Sequence, residues 1–400
     1  MAIPLSLGKL RTFRQFGRRT LEVPHQLTDG VMPTFVNQFW TAAQREAHSL
    51  HEVSYRACFK PQLPGFFIER LTRKGHIVYD PYMGRGTTLL EAALGGRRVV
   101  GNDINPVGRA FLEARLEPPT LEEVEVRLDE YDLGCASDEP RELLAFYHPD
   151  TLTQVAALKR RFRTTRMDPV GRWIQMVALS RLTGHSSGFF STYTLPPNQA
   201  VTVESQRRIN RERGEKPPFR DVRALILRKT KSLLRDVTCE TRQTLLGTGS
   251  PTLLQERAEM TGEIDDESVD LVVTSPPFMN VVDYAKDNWL RCWFLGVDEK
   301  RVGFTHFCDL EHWQEEMTAV FAELRRLLKP GGYIAFEVGD IHHRKVFLES
   351  HAIPAGIAAG LSPVCLLIND YEFTQTSDIW LPDATHGTHT NRVVVFRKAP

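Results

Sequence analysis

Residues 77–106 read Ile-Val-Tyr-Asp-Pro-Tyr-Met-Gly-Arg-Gly-Thr-Thr-Leu-Leu-Glu-Ala-Ala-Leu-Gly-Gly-Arg-Arg-Val-Val-Gly-Asn-Asp-Ile-Asn-Pro. Ile77 to Tyr79 predicts a short strand, Gly84 and Gly86 a turn, and Thr87 to Leu94 a helix. A second turn and a second strand follow, and Asp103 comes shortly after that strand. This order predicts half of a nucleotide-binding β-α-β unit, with an acid about twenty residues past the first glycine that can accept ribose hydroxyls.

The glycine turn also indicates whether the ligand carries phosphate groups. Leu89 stands where the dinucleotide fingerprint has its third glycine. A pyrophosphate ligand, as in NAD enzymes, is therefore less favoured than a ligand without phosphates, of which S-adenosylmethionine is one. Gly84 and Gly86 would let the backbone approach such a ligand closely.

A second motif, Ser275-Pro276-Pro277-Phe278, follows Thr274 at the end of the apolar run from Val269 to Val273. The run predicts a buried strand that stops abruptly. The two prolines donate no N–H groups and hold their carbonyls in fixed directions, and Phe278 adds a flat face beside them. This combination suits a planar base that is held by its exocyclic amine and stacked on the ring. A Pro-Pro turn that only closes the strand is the alternative interpretation.

Together these segments resemble the S-adenosylmethionine-dependent amino-methyltransferases of DNA, which methylate cytosine N4 or adenine N6. The matching pieces are Lys60 to Leu71 (over the methionine end of the cofactor), Asp80 to Thr88 (cofactor loop), Gly101 to Pro106 (ribose turn), Ser275 to Phe278 (catalytic tetrapeptide), Asp283 to Ala285, Trp293 to Gly296, and Leu328 to Phe336. The resemblance implies cofactor-binding roles for Lys60, Pro61, Asp80, Pro81, Gly84, Gly86, Thr87, Asp103 and Ile104. It implies catalytic roles for Ser275, Pro276, Pro277 and Phe278.

The chain departs from the family pattern at two places. Residues 246–250 contain no acid where the family contacts the cofactor's adenine with one, and Phe278 replaces the commoner tyrosine. Ser275 at the first position of the tetrapeptide is similar to the cytosine-N4 branch, whereas Asp or Asn is commoner in the adenine-N6 branch. Adenine-N6 methylation of DNA, base methylation of RNA and a catalytically silent nucleic-acid-binding protein are the alternatives, in that order.

Cysteine and histidine usage argues against two other chemistries. The six cysteines form no Cys-x-x-Cys pair and no Pro-Cys dipeptide, so neither a zinc cage nor thiolate attack at cytosine C5 is expected. The histidines that could suggest a metal are His342, His343, His386 and His389. None has a strong ligand spacing near carboxylates, so no metal is expected.

The predicted fold is α/β: a Rossmann-like methyltransferase fold with a mostly parallel central sheet. The chain has 400 residues, of which 42% are hydrophobic, enough for a sizeable core. Residues 51–116 and 241–400 are expected to form the catalytic domain. Residues 1–50 are expected to form an N-terminal arm, and residues 117–240 an inserted, largely helical target-recognition region.

The net charge of zero hides a polarised sequence. Residues 111–150 carry 3 Lys/Arg against 12 Asp/Glu, and residues 151–240 carry 18 against 7. The basic segment suits a polyanion, and the predicted DNA-binding residues are Arg207, Arg208, Arg211 and Arg213. The loop from His185 to Tyr193 is the candidate for base recognition. A solvated basic face without a partner is the alternative interpretation.

The expected partner is double-stranded DNA with one base flipped, and the family suggests a separate cognate restriction endonuclease. No nuclease motif is evident, and the sequence does not predict the oligomeric state. The apolar segment Ala352 to Ile368 is interrupted by Pro and Gly, and the basic start Met1 to Arg19 has no long apolar core. Neither a membrane span nor a secretory signal is therefore expected, and the predicted location is cytoplasmic.

Overall fold

The computed structural model describes residues 3–28, 30–41, 46–56, 58–134, 139–196, 199–278, 283–304, 307, 309–341, 346–370 and 391–400. The helices are α1 (Leu7–Arg11), α2 (Gln62–Leu71), α3 (Thr87–Leu94), α4 (Pro106–Leu116), α5 (Leu121–Asp129), α6 (Pro149–Thr164), α7 (Pro169–Arg181), α8 (Val203–Arg213), α9 (Val222–Leu233), α10 (Cys239–Gly247), α11 (Tyr284–Leu295), α12 (Leu310–Leu327) and α13 (Glu349–Ala358). The strands are β1 (Leu21–Leu27), β2 (Gly30–Asn37), β3 (Ile77–Asp80), β4 (Arg98–Asn102), β5 (Thr252–Leu254), β6 (Val269–Thr274), β7 (Leu328–Val338), β8 (Asp340–Ile341), β9 (Val346–Phe347), β10 (Ser362–Asn369) and β11 (Asn391–Arg397).

A nine-stranded sheet organises the molecule, in the order β1-β2-β10-β11-β7-β6-β3-β4-β5. β1 and β11 run antiparallel to their neighbours, and the other neighbouring pairs are parallel. The strand order reverses beside β3, because β4 and β5 lie on one side of it and β6 and β7 on the other. A reversal of this kind opens a crevice at the carboxyl ends of the strands, where α/β proteins bind their ligands.

Two hydrophobic clusters cover the two faces of this sheet. Successive side chains of a strand point to opposite faces, and the burial of β6 follows that rule: Leu271 and Val273 belong to one cluster and Val272 to the other. One cluster includes α2, α3 and α4, and the other includes α12 and α13. The α/β fold with a mostly parallel sheet predicted from the sequence is therefore confirmed.

Several helices start where the sequence supplies capping groups. Asn105 accepts a hydrogen bond from the Val107 N–H at the start of α4, and Pro106 occupies the first turn of that helix. Thr120 and Glu123 form a reciprocal capping box at α5. The Asn105 cap fixes the chain direction immediately after β4, where Asp103 lies.

Residues 1–50, for which the sequence predicts an arm, contribute β1 and β2 to the sheet. β2 pairs in parallel with β10, so this segment extends the sheet beyond the C-terminal strands. Leu21 and Val23 on β1 are exposed, as expected for an edge strand. The Pro24 ring removes one backbone donor from the same strand, which weakens further pairing at this edge.

The helical region between β4 and β5 packs onto one face of the sheet. Its buried residues Phe162, Trp173 and Ile226 belong to the same hydrophobic cluster as Phe111 of α4 and Phe294 of α11. Trp173 donates its indole N–H to the hydroxyl of Thr230 at 3.1 Å, which joins α7 to α9. The region therefore shares one continuous core with the sheet.

Ion pairs link the acidic and basic segments to each other. Lys159 and Glu139 lie 2.9 Å apart, Arg172 and Glu117 3.0 Å apart, and Arg127 and Asp168 2.8 Å apart. Arg223 and Asp129 form a further pair. Part of the charge polarisation in the sequence is thus neutralised within the fold.

No helix in the described part of the chain is both long enough and apolar enough to cross a membrane.

Candidate active site

A pocket lies at the carboxyl ends of β3, β4 and β6, where the strand order reverses. Its empty volume is about 590 Å³. The lining residues are Tyr55, Tyr82, Gly84, Asp103, Ile104, Asn105, Ser275, Pro277, Tyr284 and Phe304. The two sequence motifs, which lie far apart in the chain, therefore face one cavity.

The turn after β3 forms one wall of this pocket. Gly84 and Gly86 have φ angles of +50° and +77°, a region that favours glycine. A Cβ atom at Gly86 would lie 2.8 Å from Leu112 Cδ1 and 3.0 Å from its Cβ, so this position also has no room for a side chain. Glycine at residue 86 therefore allows this turn without backbone strain and without displacing Leu112.

Asp103 holds this turn in place. Its Oδ2 accepts the Gly84 N–H at 2.7 Å, and its Oδ1 accepts the Asn105 N–H at 2.8 Å. Burial raises the pKa of Asp103 to about 6, although both hydrogen bonds favour the ionised form. Each carboxylate oxygen keeps a second lone pair, so Asp103 can still accept hydroxyl groups from a ligand in the pocket.

Asp80 connects the two motifs across the reversal. Its Oδ1 accepts the Thr274 hydroxyl at 2.7 Å and the Tyr82 N–H at 3.1 Å. Burial raises its pKa to about 7. Because Thr274 directly precedes Ser275, the hydrogen bond between Thr274 and Asp80 fixes the end of β6 relative to the turn that contains Gly84 and Gly86.

Ser275 is paired with a buried carboxylate that the sequence interpretation did not identify. Its hydroxyl donates to Glu337 Oε2 at 2.5 Å, and Asn391 Nδ2 donates to Glu337 Oε1 at 3.1 Å. Burial raises the pKa of Glu337 to about 7, and the two hydrogen bonds act in the opposite direction. A charged residue inside the otherwise apolar strand Tyr333–Val338 is the sequence signal that could have revealed it.

The remaining residues of the tetrapeptide lie in different surroundings. Pro276 is buried, and the Pro277 carbonyl accepts the indole N–H of Trp313 at 3.1 Å. Phe278 is partly buried against the cluster formed with α12 and α13. Pro277 faces the pocket with Ser275, whereas Pro276 and Phe278 are not among the lining residues.

Four aromatic rings line the pocket: Tyr55, Tyr82, Tyr284 and Phe304. Tyr284 and Phe304 stack with their centroids 6.5 Å apart and their planes at 19°. Tyr55 accepts a hydrogen bond from Asn105 Nδ2 at 3.1 Å. The sequence interpretation assigned no role to these rings, although Tyr284 lies in a segment that resembles the family.

The lining also indicates the charge of a ligand. Among the described residues it contains one carboxylate, that of Asp103, and no Lys or Arg. A diphosphate would find no cation here, whereas a ligand with a positive centre, a diol and apolar parts matches the carboxylate and the aromatic rings. This composition fits a sulfonium nucleoside such as S-adenosylmethionine.

The other predicted cofactor residues surround the turn. Pro81 is buried, and its carbonyl accepts Asn102 Nδ2 at 3.3 Å. Thr87 is buried in the first turn of α3, and Ile104 lines the pocket. Lys60 and Pro61 precede α2, and burial lowers the pKa of Lys60.

The four predicted DNA-binding arginines lie on α8, and all four are exposed. Arg208 lies 3.8 Å from Glu212, and Arg213 both pairs with Glu215 at 3.0 Å and stacks on Tyr193 at 3.9 Å. Within the described residues, Arg207 and Arg211 have no ion-pair partner.

The loop predicted to recognise a base is only partly accessible. Residues 185–187 are exposed, whereas Phe189 and Phe190 are buried. Arg181 stacks on Phe189 at 4.1 Å, and Arg228 donates to the Ser187 carbonyl at 3.2 Å. A ligand could therefore contact only the tip of this loop.

The described residues include no group of three or more potential metal ligands. The histidines considered from the sequence, His342, His343, His386 and His389, lie outside the described residues.

Comparison with known proteins finds similarity to DNA methyltransferases. Residues 17–108 match the model of the DNA methylase family. The chain is 22% identical over 296 residues to the type II methyltransferase M.BsoBI of Geobacillus stearothermophilus. This alignment covers 67% of this chain and 57% of that protein. It is 27% identical over 258 residues to the type II methyltransferase M.MvaI of Kocuria varians, covering 56% and 52%. The chain thus spans about half the length of these curated relatives.

A solved SAM-dependent methyltransferase from Methanosarcina mazei aligns with 83% of this chain and 97% of its own, at 10% identity and a TM-score of 0.35. The family match and the two relatives agree with the motifs in the sequence. The chain is therefore similar to DNA methyltransferases in its sequence.

Proposed function

We propose that this chain is a site-specific DNA methyltransferase that transfers a methyl group from S-adenosylmethionine to the exocyclic amine of a flipped base, cytosine N4. One observation carries the proposal: Gly84 and Asp103 line one side of the pocket, and Ser275 and Pro277 line another. Direct transfer requires donor and acceptor to meet in a single cavity with aligned reacting atoms. A pocket shared by both motifs supports that requirement.

On the cofactor side, Asp103 accepts the ribose hydroxyls, and the turn from Gly84 to Gly86 lets the backbone approach the ligand. Asp80, Pro81 and Thr87 support the turn, and Ile104 contributes an apolar surface. Lys60 and Pro61 cover the methionine end of the cofactor. When bound, S-adenosylmethionine supplies an electrophilic methyl carbon: the amine nitrogen bonds to it as the carbon–sulfur bond breaks and leaves its electron pair on sulfur.

On the base side, the exocyclic amine needs acceptors for its two N–H groups. The Ser275 hydroxyl donates its own hydrogen to Glu337, so its lone pairs remain available to one N–H. The Pro277 carbonyl already accepts from Trp313, and we assign the Pro276 carbonyl to the second N–H. Two such acceptors favour a pyramidal nitrogen, whose lone pair is more nucleophilic than that of a planar amine.

The base must leave its duplex to reach this pocket, at a cost of a few kcal/mol. Stacking on Phe278 offsets part of this cost, and the exposed arginines of α8 hold the phosphate backbone. Cytosine is favoured over adenine because Ser275 occupies the first position of the tetrapeptide. A cognate restriction endonuclease, encoded as a separate protein, is the proposed biological partner.

Nucleoside mass spectrometry tests this proposal. DNA and RNA are incubated with the protein and isotopically labelled S-adenosylmethionine, then digested to nucleosides. We expect labelled N4-methylcytosine in double-stranded DNA. N6-methyladenine would correct the base, a labelled RNA nucleoside would correct the nucleic acid, and C5-methylcytosine would contradict the mechanism. The absence of product, with cofactor and DNA both bound, would indicate a catalytically silent binding protein.

A further inference from the structure

Glu337 is a titratable group in hydrogen-bond contact with Ser275, on the base side of the pocket. It lies on β7, between Ser275 at the end of β6 and Asn391 at the start of β11. Glu337 is 4% exposed, so its carboxylate is buried. The hydroxyl of Ser275, which lines the pocket, is its hydrogen-bond partner. A carboxylate in this position is not required to stabilise the sheet, because burying its charge opposes folding.

The surroundings of Glu337 contain no competing charge in the described part of the chain. The side chains that hydrogen-bond to it are the hydroxyl of Ser275 and the amide of Asn391, and neither titrates near neutral pH. Burial is the main cause of its raised pKa of about 7. Glu337 can therefore exchange a proton in the range where an enzyme works.

We propose that Glu337 is the proton acceptor of the methyl-transfer reaction and acts through Ser275. This inference rests on the proposed function and adds to it a residue and a proton route. The Ser275 hydroxyl touches the amine and transmits the proton, whereas Glu337 stores it.

The proton route is balanced without a further reactant. After transfer, the methylated nitrogen is cationic and carries one proton more than the product. That proton moves to Ser275 Oγ, while the hydroxyl proton of Ser275 moves to Glu337 Oε2. The product amine and Glu337 are then both neutral, and Glu337 returns its proton to solvent by the reverse path when the pocket opens.

A single-turnover pH profile tests the role of Glu337. In the parent protein, Glu337 must be ionised before the reaction, so the rate should rise with pH through about 7 and then level off. Glu337→Gln keeps the size and the hydrogen-bonding oxygen but cannot take a proton. We expect its rate to fall roughly 10²- to 10⁴-fold and to lose the rise near pH 7, with unchanged affinity for S-adenosylmethionine.

Asn391→Leu provides a second variant that retains the carboxylate. The amide of Asn391 hydrogen-bonds to the ionised form of Glu337, so its loss should raise the pKa of Glu337 further. The rise in rate should therefore move to higher pH. A residue that only supports the fold would lower the rate without moving the profile.

The outcomes separate this inference from the proposed function. If Glu337→Gln methylates DNA at the parent rate, or if both variants keep the parent pH profile, Glu337 is not the proton acceptor and the methyltransferase proposal stands. If the parent protein methylates no nucleic acid, the proposed function itself fails.

Discussion

At the scale of single residues, Asp103 gives the most direct test of the cofactor side. Its carboxylate would accept ribose hydroxyls in addition to the two backbone N–H groups that it already holds. Asp103→Ala should weaken S-adenosylmethionine binding by roughly 1.5–3 kcal/mol, or about ten- to a hundredfold in Kd. Isothermal titration calorimetry on the folded variant measures this change.

Asp221→Ala is the matched control, because Asp221 also accepts a backbone N–H, from Ala224 at 3.0 Å, but caps the distant helix α9. Its cofactor affinity should equal that of the parent. The pH dependence gives a second check: Asp103 is ionised above its pKa of about 6, so Kd should be constant above pH 7 and rise as the pH falls below 6. An Asp103→Ala variant with parent affinity would remove the ribose assignment.

A second question at the scale of single residues is which aromatic ring stacks on the base. Phe278 packs against the core, whereas Tyr284 lines the pocket. Phe278→Leu preserves apolar packing but removes the flat ring. The loss of stacking should cost about 1–3 kcal/mol, so we expect kcat/KM for DNA to fall roughly five- to 150-fold. The affinity for the cofactor should not change.

Tyr284→Leu is the comparison for this measurement. It should weaken cofactor binding, because Tyr284 shares the pocket wall with Asp103. If Phe278→Leu methylates at the parent rate and Tyr284→Leu alone loses turnover at saturating cofactor, stacking must be reassigned from Phe278 to Tyr284.

The sequence could predict Ser275 and Asp103 as candidate site residues because each lies in a local motif. It could not predict Glu337 as the partner of Ser275. That contact depends on β7 lying beside β6, and on Asn391 arriving from β11 on the other side. Pairings of this kind are set by sheet order, which no local pattern encodes.

At the scale of secondary-structure elements, the turn before α3 depends on glycine for two separate reasons. Gly86 has a positive φ, and an added Cβ would lie 2.8 Å from Leu112 of α4. Gly249, before β5, has nearly the same φ, +79°, but nothing within 4 Å of an added Cβ. The two glycines therefore separate backbone strain from steric overlap.

Both alanine variants should lose about 1–2 kcal/mol of unfolding free energy from the left-handed backbone. Gly86→Ala should lose a further 1–3 kcal/mol, roughly, because Leu112 must move, and it should also bind S-adenosylmethionine more weakly. Urea denaturation compares the two variants. Equal losses at both positions would show that α4 does not restrict the turn.

Most of the helices and strands near the site could be predicted from periodicity and turn residues. The predicted helix Thr87 to Leu94 has the bounds of α3. Residues 329–332, Lys-Pro-Gly-Gly, have the composition of a turn but lie inside β7, which begins at Leu328. There the strand pairs irregularly with β6, so tertiary pairing overrides the turn preference of Pro and Gly.

At the scale of the whole molecule, charge is distributed less unevenly than the sequence alone indicates. Ion pairs between residues 111–150 and 151–240 neutralise part of the basic segment. Arg207 and Arg211 on α8 are exposed and, within the described residues, have no ion-pair partner. They are therefore the best candidates for phosphate contacts.

Replacing Arg207 and Arg211 together by Ala should weaken binding to all DNA sequences. If each contacts one phosphate, the slope of log K against log salt should flatten by about two units. Fluorescence anisotropy over a range of salt concentrations measures this slope.

Arg73 and Lys74 supply the control for that measurement, since both are exposed but precede β3, at the end of the strand opposite the pocket. Their double Ala variant should keep the parent slope. An unchanged slope for the Arg207/Arg211 variant would identify α8 as a solvated face without a DNA contact.

The α/β class and the site between two distant motifs could be predicted from the sequence, because the β-α-β half-unit restricts the topology. The pairing of β2 with β10 could not be predicted, since it joins residues near opposite ends of the chain. In addition, no local pattern shows that Trp173 and Phe294 belong to the same hydrophobic cluster. Long-range packing of this kind emerges only when the whole chain is folded.

That shared cluster limits how such a protein can acquire a new target over evolution. A recognition module joined by a linker can be exchanged whole by recombination, because few contacts cross its boundary. Here an exchange of residues 117–240 would remove Phe162 and Trp173 and leave Phe111 and Phe294 facing unmatched side chains. Under the proposed function, we therefore expect lineages of this protein to diversify by substitutions on the exposed surface of α8 and the tip of the 185–187 loop, and not by shuffling of the helical region.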